Sequence, residues 1–266
     1  MAARGETRIH PSAIVEPGAQ IGAGCEIGPF SIVGPQARLG DGVVLHSHVV
    51  IAGDTTVGDD TRIWPFASIG HQPQDLKFAG ERTRLEIGAR NMIRESVSIN
   101  PGTAGGGGLT KIGDDNLMML GTHVGHDCIL GNRIVLANNA AIAGHCRLDD
   151  NVIVGGQSGV HQFVHIGRGA MIGAVSMVTK DVIPYGSIVG NRGELAGLNI
   201  TGLKRRGVER PQLHALRAAY QAIFVDGAGT LLERTRRTRE DHADDPLVQE
   251  IAEFILADHS RSIATP

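Results

Sequence analysis

An aliphatic residue occupies every sixth position from Ile9 onward: Ile9, Val15, Ile21, Ile27, Val33, Leu39, Leu45, Ile51, Val57, Ile63 and Ile69. The count resumes at Ile87, Ile93 and Ile99. It runs again from Ile112 through Met118, Val124, Leu130, Leu136, Ile142, Leu148, Val154, Val160, Ile166 and Ile172 to Val178. Four residues after each aliphatic position lies a second column, in the first run Ala13, Ala19, Cys25, Ser31, Ala37, Val43, Val49, Thr55, Thr61 and Ala67, all small or β-branched. Residues two apart on a strand share a face, so the small residue and the next aliphatic one both point inward. Glycine often follows the aliphatic residue (Gly22, Gly28, Gly34, Gly40), which predicts a turn with φ > 0 closing each strand. A helical reading fails, because a 3.6-residue period does not generate an invariant six and each glycine would cost about 1 kcal/mol inside a helix. Six residues therefore make one strand and one corner.

Two stretches break the pattern, His71 to Arg84 and Pro101 to Lys111, and both are expected to be external loops. The second is rich in glycine, but it has neither a following helix nor a Lys-Ser/Thr pair, so it does not read as a phosphate loop. Beyond Val178 the repeat dies at Pro184. From Pro211 the spacing of Leu213, Leu216, Tyr220, Ile223 and Phe224 predicts a helix with the proline in its first turn, and Pro246 to Ala257 repeats this with Leu247, Ile251, Phe254 and Ile255. The expected organisation is a repeat domain over 1–190, then a connecting segment and small helical domain over 191–266.

The composition fits a narrow interior. The chain of 266 residues holds 37 glycines but only 6 Phe, 2 Tyr and 1 Trp, too few large side chains for a wide core. A net charge of -3 offers no global basic field for nucleic acid, so any anion must be held locally. No run approaches the ~20 apolar residues of a membrane span, and the N-terminus lacks the apolar core of a signal peptide, so a cytoplasmic location is expected. Cys25, Cys128 and Cys146 all fall in the small inward column and read as reduced structural thiols.

Hexapeptide strands of this kind resemble the hexapeptide acyltransferase superfamily. The resemblance implies a mainly β fold, a left-handed parallel β-helix with three hexapeptides, or eighteen residues, per coil. Residues eighteen apart then stack on adjacent rungs about 4.8 Å apart. Adding eighteen carries His126 to Gly144 and then to Gln162. Each follows its aliphatic anchor (Val124, Ile142, Val160) by two and so should project outward; Asp127 likewise stacks on His145. An exposed imidazole, a backbone N–H with no side chain in the way and an amide donor suit acyl transfer, where a base deprotonates a hydroxyl and a donor stabilises the oxyanion. Two other readings stand beside it at this point. His123, His126 and His145 are zinc-ligand types, although His145 is displaced along the strand from His123. Outward histidines on a solvated strand are also common.

The runs "IGPFSIVGP", "QDLKFAGE", "GGGLTKIG", "HVGHDCILGN", "LANNAAIAGH", "GVHQFVHIG" and "NITGLKRRG", in this order, resemble the acyl-carrier-protein to UDP-N-acetylglucosamine O-acyltransferases that begin lipid A synthesis. The similarity covers nearly the whole chain. It implies that His126 is the general base taking the proton from the sugar 3-hydroxyl as it attacks an acyl thioester, with Asp127 as its electrostatic partner and the Gly144 N–H as oxyanion donor. It further implies sugar and acyl contacts at Asp75 and Lys77, groove-lining roles for His123, His145, His161 and Gln162, and nucleotide contacts at Asn199, Arg205 and Arg206. Ala174 matches the residue that measures acyl length. The implied partners are UDP-N-acetylglucosamine, 3-hydroxyacyl carrier protein and two further copies of the chain, with the groove between subunits so that Asp75 and His126 come from different chains. No cofactor, metal or nucleic acid is implied, and the pathway points to a Gram-negative-type bacterium. The sequence departs from the family at Asn100 and Pro101, where a His-Arg pair is usual, at Thr201 for an acidic residue and at Arg192 for a histidine. These departures leave open a 3-amino acceptor and hence a related N-acyltransferase. The same repeat could also serve a γ-type zinc carbonic anhydrase or an idle β-helical scaffold; the helical tail and the LKRRG segment speak against the first, the intact His126, Gly144, Gln162 column against the second.

Overall fold

The computed structural model describes residues 5–266. Most hexapeptides contribute a two-residue strand ending in the aliphatic residue, and through the stack nearly every strand pairs in parallel with the strand three places on. Three sheets result, the faces of a left-handed parallel β-helix. Ile9 pairs with Ile27 on the first face, Val15 with Val33 on the second and Ile21 with Leu39 on the third. Carbonyl and amide groups of successive coils join, as in Gly28 N to Leu45 O at 2.8 Å, so the backbone is paired along the axis with no side chain involved.

The core is the two predicted columns. From Ile27 upward the aliphatic residues are buried, and Cys25, Ser31, Ala37, Val43 and Val49 beside them have no exposed surface. Ile9 is 48% exposed because it lies on the first coil, at the end of the stack. The three thiols are free and buried, as expected. They also bond: Cys128 Sγ donates to Ala143 O at 3.1 Å and Cys146 Sγ to His161 O at 3.0 Å, the same reach to the corner of the next coil that Ser31 makes to His46 O at 2.7 Å.

The expectation that Gly22, Gly28, Gly34 and Gly40 supply φ > 0 is wrong. The left-handed residue comes three places after the aliphatic one, and it is Phe30, His48, Asp127 and His145 as readily as Gly24 or Gly42. Glycine directly after the strand is needed for close approach instead. A Cβ on Gly28 would lie 2.7 Å from the carbonyl carbon of His46 in the next coil, and one on Gly40 would lie 2.4 Å from Asp59 Oδ1.

Both insertions leave the stacking intact. Ile87 pairs with Val57, thirty residues back, and with Ile112, twenty-five ahead, so the coils carry twelve and seven extra residues. The irregular parts are 71–83 and 101–108; Arg84 and Leu109 to Lys111 belong to the strands Arg84–Ile87 and Leu109–Ile112. Parallel stacking ends with Gly186–Val189, against which Glu194–Leu198 pairs antiparallel, so strand structure runs past the division drawn at residue 190. Helices follow at Ile200–Arg205, Arg210–Tyr220, Leu231–Asp241 and Pro246–Leu256. Glu250 bonds Arg168 and Tyr185, and the tail returns to the β-helix, where Asp181 N donates to Ser262 O and His259 Nδ1 meets Asp181 Oδ2 at 2.7 Å. Among the described residues, no helix is long and apolar enough to cross a membrane.

Candidate active site

His126, Asp127 and His145 lie on the edge between the second and third faces. The second face pairs His123 with Ala141 and Val124 with Ile142, which sets His126 against Gly144 as the eighteen-residue period predicts. A Cβ on Gly144 would sit 2.6 Å from both Nε2 and Cε1 of His126, so the ring lies directly over that glycine. The Gly144 N–H donates to no protein acceptor among the described residues.

His126 projects from the core columns, but it is only 7% exposed, because the two insertions fold over its edge. Its Nδ1 is 2.8 Å from Asp127 Oδ2. A carboxylate accepts only, so Nδ1 carries the hydrogen and Nε2 is left as the basic atom facing the cavity. Asp127 is itself buried, accepting from the Thr103 amide at 2.8 Å and the Thr103 hydroxyl at 2.6 Å. His145 crosses His126 edge-on with ring centroids 4.9 Å apart and stacks on Phe163 at 4.5 Å.

A cavity of about 390 Å³ opens beside Nε2, lined by His123, His126, Gly144, His161 and Gln162 together with Gln74, Asn100 and Met177. His123 Nδ1 meets Ser98 Oγ at 2.7 Å, and burial followed by the neighbouring His126 lowers its proton affinity below that of an ordinary histidine. Burial also lowers His145. Asp127 and Asp75 oppose that shift, while His126 and Lys77 add to it. Asp75 also shapes its own loop, accepting the Lys77 amide at 3.0 Å.

Asn100, one of the departures, is buried and donates through Nδ2 to His71 O at 3.1 Å, which ties the first insertion to the site. Its Oδ1 has no partner among the described residues. Met177 and Arg261 are among the residues of the site that escaped the sequence reading. Met177 ends the outward column His123, Ala141, Gly159, Met177 of the second face, and the plain in/out alternation contained that signal. Arg261, from the C-terminal tail, bonds His161 Nδ1 at 2.8 Å and Gln162 O at 3.1 Å, and no local pattern marks it.

Other expected site residues stand elsewhere on the chain. Ala174 is exposed on the edge between the first and second faces. Asn199 and Arg206 adjoin Gly169 on the edge between the third and first faces, with Arg205 and the exposed Thr201 on the helix that Asn199 caps. Asn199 is engaged at both ends of its amide, by Gly202 N at 2.9 Å and Gly169 O at 3.0 Å. The Arg206 guanidinium lies 6.0 Å over Tyr185, and neither Arg205 nor Arg206 is in an ion pair among the described residues. Arg192 is exposed in the turn before Glu194–Leu198.

The nitrogen and oxygen atoms of His126, Asp127 and His145 gather within 4.8 Å, a donor set of metal-site size. It differs from the predicted zinc trio, because Asp127 takes the place of His123, which is bonded to Ser98. The Asp127 carboxylate is already occupied by three donors, so a metal would have to displace bonds inside a buried cluster.

Residues 36–71 match the bacterial transferase hexapeptide family, and residues 181–264 match domain 2 of UDP-N-acetylglucosamine O-acyltransferase. The chain is 67% identical to the acyl-[acyl-carrier-protein]–UDP-N-acetylglucosamine O-acyltransferase of Paracoccus denitrificans over 98% of both proteins. Among solved structures it resembles LpxA from Acinetobacter baumannii, with TM-score 0.93 and 43% identity over 96% of this chain and 99% of that one. It also resembles the UDP-N-acetylglucosamine acyltransferase from Campylobacter jejuni, with TM-score 0.91 and 38% identity over 97% and 100%.

Proposed function

Since the chain belongs to the acyl-[acyl-carrier-protein]–UDP-N-acetylglucosamine O-acyltransferase family, we propose that it moves a 3-hydroxyacyl group from acyl carrier protein to the 3-hydroxyl of UDP-N-acetylglucosamine, using His126 as base. Acyl transfer to this sugar nucleotide in lipid A synthesis follows from the family. The observation that carries the residue assignment is the His126 ring, fixed through Nδ1 by Asp127 and set over Gly144 with Nε2 facing the cavity.

The steps follow from that geometry. Nε2 takes the hydroxyl proton as the sugar oxygen attacks the thioester carbonyl, and buried Asp127 stabilises the imidazolium that forms. The carbonyl oxygen, now negative, receives the Gly144 N–H. The imidazolium then returns its proton to the departing thiolate of the carrier's prosthetic arm, so the base is regenerated. His123 and His145, with proton affinities lowered, are neutral imidazoles near pH 7 and line the groove without adding charge. Arg205 and Arg206 suit the pyrophosphate, because guanidinium pairs with phosphate oxygens through charge-assisted bonds. Incubation with UDP-N-acetylglucosamine and 3-hydroxyacyl carrier protein should give the acylated sugar nucleotide by mass, and its absence would refute the reading.

The working unit is a homotrimer. A base on one edge, a length-measuring residue on a second and nucleotide-binding arginines on a third can share a groove only if neighbouring copies bring their edges together. Exposed apolar groups fit such an interface: Leu76 stands fully exposed at the tip of the first insertion, and Phe30 and Phe66 flank His48 with ring centroids 5.1 Å apart. Light scattering should return three times the chain mass of 28.1 kDa; a monomer would leave Ala174 and Arg206 without access to His126.

Ala174 is the acyl ruler in this arrangement. One buried methylene is worth about 0.8 kcal/mol, so a side chain that excludes one or two carbons shifts preference by roughly tenfold. Ala174→Gly should move the optimum toward longer donors and Ala174→Met toward shorter ones. An unchanged profile over a series of 3-hydroxyacyl carrier proteins would remove Ala174 from the groove and leave Met177, which already lines the cavity, as the stop.

A further inference from the structure

We propose that Thr103 is a positioning residue for His126, acting through the carboxylate of Asp127; the inference rests on His126 being the base. Thr103 lies in the glycine-rich insertion, and both it and Asp127 are buried. Its amide donates to Asp127 Oδ1 at 2.8 Å and its hydroxyl to Oδ2 at 2.6 Å, the oxygen that also receives His126 Nδ1. The Asp127 amide donates in turn to Thr110 Oγ1 at 2.7 Å. Two donors on one side and an imidazole on the other fix the carboxylate plane, and with it the direction in which Nε2 points.

The glycines make this contact sterically allowed. A Cβ at Gly106 would lie 2.0 Å from Asp127 Cγ, and one at Gly102 would lie 2.8 Å from Asp127 Oδ1. The glycine-rich insertion therefore cradles an anion belonging to the protein itself. The insertion is pinned from outside, where Glu81 accepts the Ala104 amide at 3.0 Å and Arg84 O accepts the Gly102 amide at 3.2 Å. Remove the hydroxyl and Thr103 holds the carboxylate only through its amide on Oδ1, leaving Oδ2 with His126 Nδ1 alone and the carboxylate plane less firmly set.

Thr103→Val removes the donor at nearly constant shape. It should lower kcat about tenfold, equivalent to ~1.4 kcal/mol of transition-state stabilisation, with KM for UDP-N-acetylglucosamine within about twofold of wild type. Thr103→Ser keeps the hydroxyl and should restore kcat to within about twofold. In an Asp127→Asn background Thr103→Val should cost almost nothing more, because a residue acting through another has no separate effect once that partner is changed. If Thr103→Val does not fold, Thr103→Ala is measured in the same way. Wild-type turnover in Thr103→Val, equal losses in Val and Ser, or losses that multiply with Asp127→Asn would each overturn the role. The His126→Ala control separates the two levels: if it retains normal turnover the base assignment fails, whereas an inactive His126→Ala beside a normal Thr103→Val refutes only the positioning.

Discussion

His126→Ala should leave a folded protein whose kcat is lower by at least ~100-fold, the lower end of what a positioned general base contributes. The fold should survive because His126 adds nothing to the two core columns, and Asp127 keeps both of its Thr103 donors. The cost to stability is the one lost partner of a buried carboxylate, about 1–3 kcal/mol. Binding of the sugar nucleotide should hold, since the groups that suit the pyrophosphate stand on another edge. Turnover followed by product mass, beside a melting curve, tests this. Near-normal turnover would remove His126 from the mechanism.

Gly144→Ala should be nearly as damaging, although it adds a single methyl group. The new Cβ would fall 2.6 Å from two atoms of the His126 ring and 3.1 Å from a third. The ring has no easy retreat, because swinging it away breaks the bond from Nδ1 to Asp127. The methyl also crowds the amide proposed to stabilise the oxyanion, and loss of one such donor costs about 10²–10³ in kcat. We expect a loss of at least ~100-fold with UDP-sugar binding retained, since a misplacement of about 1 Å in a catalytic group suffices for that. Activity within a few-fold of wild type would mean that neither ring position nor amide matters as described.

The repeat was legible because every sixth position meets the same physical demand, and one sequence supplied twenty-six instances of it. Stacking by eighteen carried this as far as the His126, Gly144 pair. The role of the glycines was misread, since sequence does not distinguish a residue needing φ > 0 from one needing no Cβ; only the distance to the next coil separates them. Thr103 was invisible, as a lone threonine in a glycine run acquires meaning only when the loop folds onto Asp127. The helix Leu231–Asp241 was missed for another reason. Its sequence is dominated by arginine and acidic residues, and the side it buries is marked by Thr235 and Thr238 rather than by aliphatics. Its capping box, Thr230 with Glu233, was the readable signal.

The antiparallel pairing of Glu194–Leu198 with Gly186–Val189 bears on how the molecule avoids growing without limit. A stack of parallel coils offers a ladder of unmet amides and carbonyls at each extremity, and two such extremities are what a fibre needs. At the upper one the chain doubles back and covers the last parallel strand of the first face, and the tail adds a bridge between Asp181 and Ile263. A chain shortened before Glu194 would leave Gly186–Val189 as a bare edge on that face, so it should associate more readily than the full chain when light scattering is followed with concentration.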